Sequence, residues 1–229
     1  MIIKKIVKKI KGNDFELDPN IPFSYLIHKS IEMIFNLIRG NIKFLFVKKN
    51  SRLFFVGKKT KIKVSKKVTI NKGVNIGDNV VIDALSLNGV KIGSNVRIGD
   101  YSRILCSGTI RNLGKGFSIG DNCGIGDYGF FGSAGGIEIG NDVIMGQNVR
   151  FHSENHNYQD LTIPIRLQGV TNKGIKIGNN CWIGSGAVFL DGVEVGSGCV
   201  IGANCLVNRN IPDNSVVVGI PARIIKVRK

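Results

Sequence analysis

A six-residue recurrence of apolar residues predicts that Thr69 to Val207 form a three-sided parallel β solenoid. Two other observations agree. The chain has 30 glycines but only 7% aromatic residues, an unusual balance for a globular sandwich. Glycine also commonly follows the recurring apolar residue, as in Ile98-Gly99 and Ile183-Gly184. The recurring residues are Ile70, Ile76, Ile82, Ile92, Ile98, Ile104, Ile110, Ile119, Ile125, Phe131, Ile139, Met145, Phe151, Ile177, Ile183, Phe189, Val195, Ile201 and Val207.

Each hexad is expected to supply one short strand and one corner. The apolar residue points inward, and the glycine or small polar residue after it turns the chain where a side chain would be crowded. Three hexads make one coil, and strands of stacked coils pair in parallel about 4.8 Å apart. The interior then becomes a column of isoleucine and valine. This predicts an all-β solenoid, a parallel β-helix with an N-terminal helical segment.

Four of the five cysteines fit the same periodicity. Cys123, Cys181, Cys199 and Cys205 each lie two residues before an inward apolar residue, where other repeats most often have valine. We therefore expect them to be packing residues. Without a CxxC pair, neither a disulfide framework nor a zinc site is predicted.

The positive charge is concentrated at the N-terminus. Residues 1–67 contain 17 basic and 4 acidic residues, which gives +13 of the net charge of +16. The predicted organisation is a basic, partly helical segment over 1–67, the β-helix over 68–209 with a loop at 152–174, and a C-terminal tail over 210–229. One or two helices are expected within 22–46. The charges within Ile21 to Phe46 leave no uncharged run long enough to span a bilayer.

Two interpretations of the N-terminal segment stay open. A short cationic opening and mixed apolar and basic helices suit attachment to an anionic membrane surface. A helical cap over the open end of the solenoid, with solvated lysines, is the alternative. No signal peptide is apparent, so the expected location is the cytoplasm, with the inner face of the membrane as the possible contact. Nucleic acid is not an expected partner, because no recognition motif accompanies the charge.

The largest interruption of the repeat is expected to carry the chemistry, because sites are usually mounted on loops that leave a rigid scaffold. Residues 152–174 contain two of the three histidines of the chain. His156 stands near the start of this polar excursion, and we expect it to be the catalytic residue. Tyr158 and Asp160 in the same loop are predicted to bind substrate. No metal is expected.

The repeat, the histidine at the head of a loop, and the run from Lys176 to Ile225 with its closing Pro221-Ala222-Arg223 resemble the hexapeptide-repeat acyltransferases. Within that family the chain is most similar to sugar and polysaccharide O-acetyltransferases, over about Val68 to Lys226. The resemblance implies a left-handed helix, a homotrimer, active sites between neighbouring subunits and acetyl-coenzyme A as co-substrate. His156 falls on the family's catalytic histidine, whereas His152 falls on a non-catalytic position.

The resemblance also implies where coenzyme A binds. The corresponding positions here are Trp182, Gly184, Ser185, Ala203, Arg209, Arg223 and Lys226. The arginines and the lysine would meet phosphates, and a backbone N–H within 184–186 would stabilise the oxyanion. Some relatives place an asparagine opposite the histidine, but this chain has Gly126 to Gly136 there. Neither Tyr128 nor Ser133 is assigned to that role.

The expected function is transfer of an acetyl group from acetyl-coenzyme A to a hydroxyl of a sugar, a surface polysaccharide or a lipid-linked glycan. His156 would act as general base in direct transfer. One alternative is N-acetylation of an amino sugar or sugar nucleotide, and a second is a non-catalytic structural solenoid. A carbonic anhydrase of this fold needs three histidine ligands, and the solenoid region has only two histidines.

Overall fold

The structure, a computed structural model, describes residues 17–107, 110 and 112–229. Residues 1–16, which include the cationic opening for which membrane attachment and a helical cap are the two open interpretations, lie outside the described residues. The chain divides into two compact units, with the boundary between Phe35 and Asn36. Helix α1 (Phe23–Ile42) begins in the first unit and ends in the second. No helix in the described part of the chain combines the length and apolarity that a membrane crossing requires.

The second unit is a left-handed parallel β-helix, which confirms the predicted fold class. Each coil contributes one strand to each of three sheets. Sheet A contains β1 (Lys48–Lys49), β4 (Val68–Ile70), β7 (Val90–Ile92), β10 (Phe117–Ile119), β13 (Ile137–Ile139), β18 (Ile175–Ile177) and β21 (Glu194–Val195). Sheet B contains β2 (Phe54–Val56), β5 (Val74–Ile76), β8 (Arg97–Ile98), β11 (Gly124–Ile125), β14 (Ile144–Met145), β19 (Trp182–Ile183), β22 (Val200–Ile201), β24 (Ser215–Val218) and β25 (Arg223–Val227).

Sheet C contains β3 (Lys61–Lys63), β6 (Val81–Asp83), β9 (Arg103–Leu105), β12 (Phe130–Gly132), β15 (Arg150–His152), β20 (Val188–Leu190) and β23 (Leu206–Val207). All pairings in the three sheets are parallel except that of β24 with β25. A separate antiparallel pair joins β16 (Asn155–His156) to β17 (Val170–Thr171). Short 3-10 helices occur at Ser65–Lys67 and Ile165–Leu167.

The inward column is as predicted, with one exception. Every recurring apolar residue is buried except Ile110, which is 89% exposed. The assignment of Ile110 to the core was wrong, because Ile110 lies between β9 and β10 and the next coil resumes at Phe117. All five cysteines are buried free thiols. Burial raises the pKa of the Cys181 thiol to about 11, so these thiols are packing residues, as expected.

The glycines at the corners have the predicted role. A Cβ on Gly99 would lie 2.5 Å from the backbone nitrogen of Asp127, and one on Gly184 would lie 2.5 Å from that of Ala203. Both contacts join consecutive coils. The close stacking of the coils therefore excludes a side chain at these positions.

The predicted solenoid boundaries at 68 and 209 were both too narrow. Strands β1 to β3 form a full coil from Lys48 to Lys63 and pair with β4 to β6. The predicted tail also joins the solenoid, because β24 pairs in parallel with β22 and β25 returns antiparallel along β24. Within residues 22–46, for which one or two helices are predicted, the structure has one, α1.

The last turns of α1 pack on the first coil. Gly40 approaches so closely that a Cβ there would lie 2.2 Å from the carbonyl oxygen of Phe54. The Arg39 guanidinium donates to the carbonyl oxygen of Val56 and to Asn36 Oδ1. These turns therefore cover part of the first coil, as the capping interpretation expects.

The lengths of the three corners differ in a way that positions the candidate site. The corners from sheet A to sheet B and from sheet B to sheet C keep nearly the same length in every coil. The corner from sheet C to sheet A varies, and it carries the excursions over 84–89, 106–116 and 153–174. All long insertions thus leave the prism along one edge.

Candidate functional site

The hairpin over 153–174 is held by hydrogen-bonded anchors at both of its ends, of which Ser153 is buried. At its start, the Ser153 hydroxyl donates to the carbonyl oxygen of Gly132 (2.9 Å) and accepts from the Gly135 amide (3.0 Å). At its end, the Asp191 carboxylate accepts from the amides of Lys173 and Gly174 at 2.8 to 2.9 Å. Charge-assisted bonds of this kind are the stronger class. The hairpin is therefore tied to the coils before and after it.

Internal hydrogen bonds give the hairpin a defined shape. The Gln168 side chain donates to the carbonyl oxygens of Asp160 (2.6 Å) and Ile163 (3.0 Å) and accepts from the Asp160 amide (3.1 Å). Asp160 accepts from the amide and hydroxyl of Thr162, and these bonds lower the pKa of its carboxyl group. The Asp160 carboxylate thus shapes the turn, whereas Tyr158, the other predicted substrate residue, is 65% exposed.

His156 lies on β16, opposite Val170 of β17, and its side chain is exposed. The described residues give its imidazole no hydrogen-bond partner. Glu154 and Asp160, both near His156 in sequence, do not contact it, and Asp160 is engaged by Thr162. The hairpin therefore presents a free imidazole at the edge where sheet C turns into sheet A.

His152 has a different environment from His156. It lies on sheet C, with its ring 5.4 Å from that of Phe130. Burial and the neighbouring Arg150 lower the pKa of the His152 imidazole. Ser133, at the end of the preceding coil, is buried and donates to the carbonyl oxygen of Leu105 (3.3 Å). The Ser133 hydroxyl is therefore directed into the coil stack rather than toward the hairpin.

Six of the seven predicted coenzyme A positions lie together on sheet B and at its corner with sheet C. Trp182 is 56% exposed between Ile144 and Val200 in register. Gly184, Ser185 and Ala203 follow at the corner, and β25 places Arg223 and Lys226 along the same sheet. Arg209 is separate, because it follows β23 on the edge that carries the hairpin.

The corner at Ser185 has a backbone amide without a partner. In three earlier coils the equivalent amide is capped by an aspartate of the next coil, as in Asp78 N to Asp100 Oδ1 (2.8 Å) and Asp100 N to Asp127 Oδ1 (3.0 Å), whereas no aspartate caps the amides of Asp127 and Gln147. In the next coil after Ser185 that position is Ala203, which has no acceptor. Within the described residues the Ser185 amide is unpaired, so it can donate to a carbonyl oxygen or an oxyanion.

A groove of about 380 Å³ lies beside this amide. Its lining includes Arg97, Gly124, Ile144 and Ser185. A Cβ on Gly124 would meet nothing within 4 Å, so the groove is open at that point. The apolar lining at Ile144 fits the pantetheine arm of coenzyme A, and the cation of Arg97 and the unpaired Ser185 amide can meet its polar groups, including the thioester carbonyl. No group of three or more His, Cys, Asp or Glu side chains in the described part of the chain is arranged to hold a metal ion.

Sequence reasoning missed the hairpin anchors and the unpaired amide. Asp191 could have been found as the acidic residue directly before a corner glycine, at the point where the chain turns beside the end of the hairpin. The Ser185 amide depends on a side chain that the next coil lacks. Such an absence can be recognised only when the coils are stacked in register.

Two repeat families match the chain. Residues 174–209 match the model described as bacterial transferase hexapeptide (six repeats), and residues 66–84 match the hexapeptide repeat of succinyl-transferase. Among relatives, galactoside O-acetyltransferase of Lactococcus lactis is 38% identical over 89 residues, which is 38% of this chain and 42% of that protein. A protein of Escherichia coli named for O-acetyl transfer in lipopolysaccharide biosynthesis is 32% identical over 107 residues, or 44% and 55% of the two chains.

The chain spans about a third to a half of the length of the curated relatives it matches. Among solved structures, a point mutant of AntD, an N-acyltransferase of Bacillus cereus in complex with dTDP and coenzyme A, superposes with a TM-score of 0.57. That match covers 76% of this chain and 86% of that one at 24% identity, so it supports the fold alone. Residues 66–84 and 174–209 therefore carry hexapeptide repeats of the kind these transferase models describe, and the chain is similar over part of its length to proteins named as O-acetyltransferases.

Proposed function

We propose that the protein transfers an acetyl group from acetyl-coenzyme A to a hydroxyl group of a sugar or glycan. The observation that carries this proposal is the exposed, unpaired imidazole of His156 on an anchored hairpin. Relatives above 30% identity are named for O-acetyl transfer, one to galactosides and one in lipopolysaccharide biosynthesis, which favours a hydroxyl acceptor over an amine. N-acylation of an amino sugar is the second candidate, and it uses the same base.

In the proposed reaction, neutral His156 removes the proton of the acceptor hydroxyl as the hydroxyl oxygen attacks the thioester carbonyl. The Ser185 amide donates to the oxygen on which negative charge develops. The carbon–sulfur bond then breaks, and the departing thiolate takes the proton from the imidazolium of His156. Trp182 and the groove beside Ser185 hold the pantetheine arm, while Arg223 and Lys226 meet phosphate groups.

The base and the proposed coenzyme A residues lie on opposite sides of one prism. His156 leaves from the edge between sheets C and A, whereas Trp182 lies on sheet B, the face opposite that edge. We therefore infer that two copies of the chain share the site. The hairpin also exposes several apolar side chains, Leu161 at 97% and Leu167 at 59% among them. We propose a homotrimer in which the hairpin of one copy reaches sheet B of the next.

Complementation between two variants tests the function and the shared site together. His156→Ala and Trp182→Ala are each expected to release little thiol from acetyl-coenzyme A with sugar acceptors. Co-expressed, they should regain about a quarter of wild-type turnover, because random mixing rebuilds that share of intact interfaces. Circular dichroism controls for folding. Turnover no higher than the sum of the separate variants would place the whole site within one chain.

We also propose that the protein works at an anionic membrane surface, at the inner face of the cytoplasmic membrane. In the second unit, Ile38, Ile42, Leu45 and Phe46 are 47 to 70% exposed. Lysines accompany them, and Lys66 Nζ lies 5.6 Å from the centroid of the Phe46 ring. An exposed apolar patch beside cations suits an acidic headgroup layer, where each basic residue contributes on the order of 1 kcal/mol.

Sedimentation with phosphatidylglycerol vesicles tests this attachment. The double variant Leu45→Glu, Phe46→Glu should lower vesicle binding at least about tenfold, because two apolar side chains worth about 1.5 to 3 kcal/mol each are replaced by anions. Leu87→Glu is the matched control, since it makes the same change at an exposed leucine (65%) outside this patch and outside the hairpin. Equal binding by the double variant and the control would contradict the proposal.

A further inference from the structure

Two tyrosines occupy strained positions at the corner between sheets B and C. Tyr101 and Tyr128 have φ angles of 59° and 61°, in the left-handed region. Asn79, Asn148 and Asn204 take this conformation at the same corner in other coils. Asparagine tolerates it, whereas a bulky aromatic residue there is an outlier. Strain of this kind concentrates at functional sites.

The two tyrosine rings form a flat, solvent-facing pair. Their centroids are 5.1 Å apart and their planes differ by 6°. Tyr101 is 50% exposed and Tyr128 is 59% exposed. Burial therefore does not explain why the chain accepts the strain. Exposed aromatic rings of this kind offer a stacking surface to a planar or ring-shaped ligand.

Two arginines stand beside this pair on sheet C. Strand register places Phe130 directly between Arg103 and Arg150. Strands lie about 4.8 Å apart, so the two arginine backbones are separated by about 10 Å. Both arginines are exposed, and within the described residues neither guanidinium has an ion-pair partner. Two such groups over one aromatic floor match a phosphoryl or diphosphoryl group, which guanidinium binds bidentately.

No acidic side chain in the described part of the chain forms an ion pair with either arginine. The carboxylates of Asp100 and Asp127 accept backbone amides of the preceding coils, at 2.8 and 3.0 Å. Asp83, farther along sheet C, is paired with Lys63 at 3.1 Å. The two arginines therefore remain available to an anionic ligand.

This surface also leads to the proposed base. Arg150 begins β15, and the hairpin that carries His156 leaves from the far end of the same strand. A ligand held at Arg150 would extend along sheet C toward the hairpin. We propose that Tyr101, Arg103, Tyr128, Phe130 and Arg150, the tyrosine–arginine surface, bind an acceptor sugar that carries a phosphate or diphosphate. This inference rests on the proposed function and specifies its acceptor class.

The test measures binding by calorimetry, without acetyl-coenzyme A. The matched probes are glucose and glucose 1-phosphate. Glucose 1-phosphate should bind at least about tenfold more tightly, since hydrogen bonds from guanidinium to a charged phosphate are stronger than those to a neutral hydroxyl. dTDP-glucose and a prenyl diphosphate-linked glucose then distinguish a nucleotide carrier from a lipid carrier.

The chain offers matched variants for this test. Arg103→Gln and Arg150→Gln should each remove most of the preference for the phosphorylated probe, whereas Lys91→Gln on sheet A should leave it unchanged. Tyr128→Asn should weaken binding several-fold without lowering the melting temperature, because asparagine is the residue that other coils use at this corner. A variant that failed to fold would lose both ligand binding and its melting transition, so the two measurements together distinguish a binding defect from a folding defect.

Specific outcomes overturn the inference. Equal binding of glucose and glucose 1-phosphate, or wild-type binding by both arginine variants, would exclude a phosphate site. A change of sedimentation coefficient in the arginine and tyrosine variants, with unchanged binding, would mean that a second copy covers this surface. Acetylation of neutral sugars without preference would leave the proposed function standing and this inference wrong. The expected binding preference without any acetyl transfer would support this inference and contradict the proposed function.

Discussion

His156→Ala is expected to lower acetyl transfer to sugar acceptors by about 10² to 10⁴-fold, the contribution typical of a positioned general base. The effect should fall on turnover rather than on affinity for acetyl-coenzyme A. The base acts on the acceptor hydroxyl, whereas Trp182 and Ser185 on the opposite face are proposed to hold the co-substrate. The measurement is thiol release under saturating acetyl-coenzyme A, with coenzyme A affinity determined separately by calorimetry.

His152→Ala is the matched control for that experiment. The two histidines are close in sequence, but His152 is packed beside Phe130 on sheet C. The control should retain most of the turnover. Full activity in His156→Ala, or a larger loss in His152→Ala, would show that the exposed imidazole on the hairpin is not the base.

Among the substitutions proposed for this protein, Phe151→Ala is expected to lower the free energy of unfolding most, by about 3 to 5 kcal/mol. The Phe151 ring is fully buried and stacks between Phe131, at 5.0 Å, and Phe189, at 4.4 Å. Its removal would leave a cavity in the coil from which the hairpin departs. Because the two neighbouring rings belong to rigid coils, the cavity cannot close by collapse.

Urea unfolding followed by circular dichroism measures this loss. Phe46→Ala provides the control, because Phe46 is 67% exposed and its removal should change the unfolding free energy by less than about 1 kcal/mol. A Phe151→Ala variant as stable as Phe46→Ala would mean that the aromatic column contributes little to the stack.

The periodicity of the sequence predicted the core well because a solenoid repeats one local contact. An inward residue in one coil packs on an inward residue of the next, so spacing alone identifies it. Ile110 shows the limit of this reasoning. It is six residues after Ile104, but a corner excursion can reproduce that spacing by chance.

The first coil was missed for a related reason. Val56 and Ile62 are six residues apart and both belong to strands, but β1 and β3 are rich in lysine and resemble a solvated segment. The 3-10 helix at Ser65–Lys67 then interrupts the spacing before Ile70. A coil is not recognised from the sequence when its outward positions are charged and only one or two apolar residues follow the six-residue spacing.

The candidate site was less predictable than the fold. His156 could be selected because a long polar excursion with a histidine is distinctive in an otherwise regular repeat. The Asp191 anchor and the free Ser185 amide depend on contacts between coils that are distant in sequence. The pairing of Arg103 with Arg150 across Phe130 depends likewise on register, which the variable corner obscures.

The restriction of variable length to one corner has a consequence for how such a chain can change. Two corners keep a constant length and preserve the alignment of every strand, whatever the third corner carries. A segment at the third corner can therefore be lengthened, shortened or exchanged without a shift of the strands above or below it. The strands that form the prism are therefore independent of the loop that carries the chemistry. The hairpin that bears His156 could be exchanged between related β-helices, with Ser153 and Asp191 as its points of attachment.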